Sequence, residues 1–99
     1  MIVVITENAS IRLDDGDNFT ELAVDALGLS VEDVVGVAVS EGAGVVDGDH
    51  LWIDIDFLRQ RGRGTEDWNG GFASMIDYAA GKGWTDAEGS RVRAHIRWR

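Results

Sequence analysis

Arg91-Val92-Arg93-Ala94-His95-Ile96-Arg97-Trp98-Arg99 alternates without a break. At the two-residue period of a β-strand, Val92, Ala94, Ile96 and Trp98 share one face, and Arg91, Arg93, His95, Arg97 and Arg99 share the other. No other segment is so cleanly two-sided. Its apolar face needs a core, and its cationic face needs something negative, from this chain's own carboxylates or from a partner. The stretch therefore predicts a sheet with one face covered and one face open.

Working back from it, Trp84 leads through a turn at residues 85–89. Before that, Trp68, Phe72, Met75, Ile76 and Ala79 form one apolar stripe, which predicts a helix capped by Thr65 and stopped at Gly81-Lys82-Gly83. The simplest role of Trp68 and Phe72 is core. Residues 59–64, RQRGRG, make a basic connection. Asp47-Gly48, set between Val45-Val46 and the alternating Leu51, Ile53, Ile55 and Phe57, is the strongest turn signal in the chain, because a type I′ hairpin needs positive φ at both central positions. One strand is expected from about Val35 to Val46, with a bulge at residues 42–44, and its partner from Asp49 to Leu58.

At the amino-terminal end, Ile2–Thr6 reads as a buried strand, and Ser10–Leu13 as a second short strand or the continuation of a bent one. Asn18 with Glu21 has the spacing of a capping box. Phe19, Leu22, Ala23, Ala26 and Leu27 follow at helical spacing, and Gly28 fits a helix end. Residues 29–36 read two ways: Ser30 and Asp33 can cap a helical turn, whereas Val34 to Val39 favours a strand. A partial helix-turn-helix look across residues 22–34 carries no basic residue in its second helix, so it is rejected as a DNA reader.

The resulting order, β-α-β-β-α-β, resembles the ferredoxin-like arrangement: a single α+β domain over residues 1–99, with two helices on one face of an antiparallel sheet. That resemblance places the first and third strands in the centre and the last strand at an edge beside the first. It carries no function with it.

Composition narrows the possibilities. The chain has 99 residues, no cysteine and a formal net charge of −9. Disulfides, a thiol nucleophile and a thiolate metal site are excluded. No basic leader precedes residues 1–5, and no apolar run approaches a membrane span, so a cytoplasmic protein is expected. Thirteen of the eighteen acidic residues lie before residue 58, with Arg12 the one basic residue there; the other eight basic residues follow. The two halves should meet.

Beside the cationic face of the last strand, the hairpin's second strand would present His50, Trp52, Asp54 and Asp56. The leading expectation is a small acidic, non-catalytic binding or regulatory protein that homodimerises through this open sheet face. Trp52 and Trp98 would anchor the interface, Asp54 or Asp56 would meet an arginine across it, and the partner would be a protein or an anionic small molecule. The alternative is a cofactor-independent enzyme of the dimeric α+β barrel kind. There His50 or His95 acts as general acid or base, Asp54 or Asp56 orients it, and Arg93 or Arg97 holds an anionic substrate, on a face that Arg91 also lines. No metal site is expected: Asp14, Asp15 and Asp17, and Asp47 with Asp49, lack the calcium-loop ligand series, and the histidines have no zinc spacing. A phosphate loop and a nucleophile elbow around Ser40 or Ser74 are also lacking. Nucleic acid is disfavoured by the charge.

Overall fold

A computed structural model describes all residues, 1–99. The elements are β1 (Ile2–Ile5), β2 (Ile11–Asp14), β3 (Ala23–Ala26), α1 (Val31–Glu41), β4 (Gly44–Asp47), β5 (His50–Asp54), α2 (Ile55–Arg61), α3 (Glu66–Gly81) and β6 (Arg91–Trp98). The strands form one sheet in the order β2-β1-β3-β6-β5-β4. It is mixed: β1–β3 and β3–β6 pair in parallel, and the other three pairs are antiparallel. Six mixed strands and three helices replace the expected ferredoxin-like pattern.

Three local outcomes produce that difference. The helix expected over residues 18–27 does not form. Asn18 Oδ1 instead accepts from the backbone N–H and hydroxyl of Thr20, an Asx turn in place of a helix cap. Ala23–Ala26 then runs as a strand between β1 and β6, with Ala23, Val24 and Ala26 all buried. With Ala23 buried on the open face as well as Val24 and Ala26 on the helix-covered face, the strand loses its two-residue signature, and here the apolar positions happened to fit a helical spacing.

The strand expected from about Val35 is helical up to Glu41. Ser30 and Asp33 form the reciprocal capping box, and Val34, Val37 and Ala38 make the buried stripe. Capping and core contacts outweigh the modest helix cost of the valines. Gly42, at φ 66°, closes α1 as a left-handed cap, so residues 42–44 end a helix and do not form a bulge.

The hairpin's second strand stops at Asp54. Ile55, Phe57 and Leu58 continue as α2 and are buried there. The alternation through residue 57 is therefore broken at residue 55.

A hairpin forms where it was expected, but its two-residue loop is Gly48-Asp49 and only Gly48 has positive φ, so the type I′ turn centred on Asp47-Gly48 does not form: Asp47 pairs with His50 as the last residue of β4. α3 with its Thr65 cap and β6 form as expected. Ser10–Leu13 corresponds to a separate strand, β2, antiparallel to β1. β6, expected at an edge, lies between β3 and β5 in the middle of the sheet. At eight residues it is the longest strand, and it buries Val92, Ala94 and Ile96.

One cluster of 21 buried residues joins Val3, Ile5, Val24, Leu51, Ile53, Val92 and Ile96 of the sheet to Val34 of α1, Leu58 of α2 and Trp68 and Phe72 of α3. All three helices thus cover one sheet face. Trp68 stacks on Phe72 with ring centroids 5.0 Å apart and donates its indole N–H to Gly16 O at 2.9 Å, pinning the loop before β3 to α3. No helix is long and apolar enough to cross a membrane.

Candidate functional site

The strand registers define the uncovered face. One row of directly opposed residues crosses all six strands: Asp14, Ile2, Ala23, His95, His50 and Asp47. Beside it run Arg12, Val4, Asp25 and Arg97, then Arg93, Trp52 and Val45, then Arg91 with Asp54. This face brings together His50, Trp52, Asp54, Arg91, Arg93, His95 and Arg97, the residues singled out in the sequence, because β5 and β6 are neighbours. Asp56 is not among them. It lies on α2, exposed and bonded to Arg59. Trp98 falls on the opposite side of β6, near the strand's end, and donates its indole N–H to Asp49 Oδ1 at 3.3 Å.

Most of the cationic face is answered within the chain. Arg91 Nε donates to Asp54 Oδ1 at 2.7 Å, and that hydrogen bond raises the arginine's pKa. Arg97 Nε donates to Asp25 Oδ1 at 2.5 Å, which likewise raises its pKa, and its Nη1 reaches Glu21 at 3.3 Å. Arg99 approaches the same Asp25 oxygen at 3.6 Å. The acidic first half and the basic second half of the chain therefore meet across β3–β6 and β5–β6.

Arg93 is the exception among the β6 arginines. It has no carboxylate partner, and its guanidinium lies over the Trp52 ring at 5.9 Å. Trp52 in turn donates to Asp47 at 3.4 Å. Next to Arg93 the two imidazoles meet edge to face, with centroids 5.4 Å apart. The three groups share a hollow of about 250 Å³ with Leu22, Trp84 and Ala94.

Backbone geometry explains the hollow. On one side of β6, His95 stands opposite Ala23 of β3, whereas Arg93 N–H donates to Trp84 O at 2.7 Å and Val92 bridges Thr85. The neighbouring chain changes at Ala94, leaving a notch in the sheet between Leu22 and Trp84. Sequence reasoning missed these two walls. The spacing of the apolar residues puts Leu22 on a helix that does not form, and Trp84 reads in the sequence only as a lead-in to a turn. A tryptophan held between Gly83 and a polar turn was the available signal.

Neither histidine makes a side-chain hydrogen bond to a carboxylate, and the nearby aspartates bond elsewhere. The acid–base dyad of the enzyme expectation is therefore not assembled. What the notch offers is one fixed positive charge, two imidazoles and an aromatic wall. A larger hollow of about 410 Å³ at the start of α1 is lined by Glu7, Glu32 and Asp33. Its charges are all negative, and Asp33 is committed to the capping box. No group of histidines and carboxylates has a metal-holding arrangement.

Comparison with protein-family models, curated proteins and solved structures finds no match to this chain.

Proposed function

We propose that this chain is a small, non-catalytic binding protein that holds an anionic small molecule on its open sheet face. The observation that carries this reading is the placing of Arg93, without a carboxylate, beside the paired imidazoles of His50 and His95 in a concave notch. A guanidinium and neighbouring N–H donors recognise carboxylates and phosphates through charge-assisted hydrogen bonds. The test is to follow the imidazole NMR signals of His50 and His95 while acetate and inorganic phosphate are added. Saturable shifts in both histidines, lost in Arg93→Gln, are expected. No response to either anion would sink the reading.

Self-association through the same face is a second reading, supported by its charge. Arg12, Arg91, Arg93 and Arg97 balance Asp14, Asp25, Asp47 and Asp54 there, on a chain whose net charge is −9. Two copies meeting by this face would avoid the repulsion that their remaining surfaces carry. The polar groups first assigned to such an interface, Asp54 and Trp52, are engaged within the chain, so a second copy would rest on Val45 and on rearranged ion pairs. Native mass spectrometry across a salt series distinguishes the two. A salt-sensitive dimer supports pairing, and a monomer at all salt concentrations refutes it.

A further inference from the structure

The cationic notch continues past its own rim. Leu22, Trp84 and Arg93 also line a second hollow of about 80 Å³, whose other walls include Met75 and Phe19. Phe19, Met75 and Tyr78 line a third, of about 490 Å³, on the flank of α3. Successive hollows share lining residues and so adjoin, which is the basis for reading them as one groove. It is cationic where Arg93, His50 and His95 stand, and apolar along α3. Trp84 forms the corner: it is 38% exposed, and its ring meets Tyr78 edge to face at 6.1 Å. Two large aromatic rings left in solvent along a groove with a charged end are surfaces for an apolar chain.

We infer that this groove binds an amphiphilic monoanion, a carboxylate carried on an alkyl or aryl chain. The carboxylate sits at Arg93 beside the two imidazoles, and the chain passes over Leu22 and Trp84 towards Tyr78 and Met75. This rests on the anion-binding reading above and adds the class of ligand. Arg93 supplies one fixed positive charge and a planar fork matched to a carboxylate, and an imidazole offers an N–H in either protonation state. No cation lines the hollow at the tail end, and Lys82, whose ammonium lies 5.5 Å from the Tyr78 ring centroid, is the cation beside it. Glu21, on the groove wall, is held by Arg97 and disfavours a second negative charge on the ligand. A monoanion with an apolar tail fits these walls better than a dianion does.

The experiment is calorimetric titration of the full chain with acetate, hexanoate and decanoate, and with the alcohols of the same lengths, all below micelle-forming concentrations. Affinity for the acids is expected to rise by about two- to fourfold per methylene, the gain from burying apolar surface. Arg93→Gln should remove the preference for acid over alcohol. Trp84→Ala, and independently Tyr78→Ala, should flatten the dependence on chain length, and Tyr78→Ala, outside the notch that holds the carboxylate, should leave acetate binding in place. If acetate shifts the histidines but longer acids bind no better, the groove inference fails and the anion-binding reading stands. If acids and alcohols of one length bind alike, the head-group assignment fails. If a phosphate monoester outbinds the acid of equal length, the monoanion assignment fails. If no anion shifts the histidines, both readings fall together.

Discussion

Arg97 and Asp25 stand directly opposite one another in the β3–β6 register, with Nε and Oδ1 2.5 Å apart, although 72 positions separate them in the chain. Asp25 is the hub of this corner, since Arg99 approaches the same oxygen and Glu21 shares Arg97. Asp25→Asn and Arg97→Gln should each lower the melting temperature, and the double variant should lose less than the two changes added together. Added salt should shrink that coupling. Strictly additive melting temperatures would mean that the pair contributes nothing to the fold.

Trp68 couples the loop before β3 to α3 through a buried ring and one hydrogen bond to Gly16 O. Trp68→Phe keeps the stack on Phe72 and removes the donor, for an expected loss of about 1–3 kcal/mol. Trp68→Ala also empties the site and should cost about 3–5 kcal/mol. Urea unfolding of both variants checks the order; equal losses would show that the hydrogen bond, not the ring, dominates.

Gly44 begins β4 at φ 150°, where an added Cβ would come within 1.9 Å of Trp52 O. The obstacle is backbone, so it cannot swing aside. Gly44→Ala should destabilise the protein and disturb the β4–β5 register, seen as increased amide exchange at the β4–β5 hydrogen bonds. Gly48→Ala, at a turn with open space around it, should leave that register intact despite its own positive φ. Unchanged exchange in Gly44→Ala would refute the close approach.

Asp86 organises the turn into β6, accepting from the N–H and hydroxyl of Ser90 and from the N–H of Arg91. Desolvation acts to raise its pKa, but these bonds outweigh it and hold the carboxyl below its ordinary value of 3.8. A carboxyl depressed on folding contributes stability above its unfolded pKa and loses it as pH falls through the folded one. Asp86→Asn should therefore be less stable than the parent at pH 7, with the difference narrowing as the solution is acidified below pH 3.8. Urea midpoints across that range check this, and a constant difference would contradict it.

What could be read from the sequence follows from where the physical signal is local. β6, the β4–β5 hairpin and α3 were legible because each has one buried side and a terminator within a few residues, although the hairpin's turn lies one residue later than Asp47-Gly48. Ala23–Ala26 was not, since a short strand with buried residues on both faces shows no period of its own. α1 carried contradictory cues: Ser30 and Asp33 spelled a cap, while four valines spelled a strand, and only the packing of Val34 and Val37 into the core decided between them. The open face was legible in part, because the alternation in β5 and β6 puts their polar residues on one sheet face, although the expected order set the first strand between them and the observed one makes them neighbours. The notch was hidden, since it depends on where β3 begins, at Ala23, and where the Trp84 segment leaves off along the same side of β6.

The position of β6 also bears on how the chain reaches its folded form. The strand farthest along the polypeptide bridges two groups of earlier strands: β1, β2 and β3 on one side, β4 and β5 on the other. Until it inserts, the two groups share no backbone ladder, and closing them over a span of 72 residues demands a costly reduction of chain freedom. Assembly should thus be all-or-none and comparatively slow for so small a chain. As long as β6 is not inserted, the edges of β3 and β5 that it covers are open to strands from other molecules.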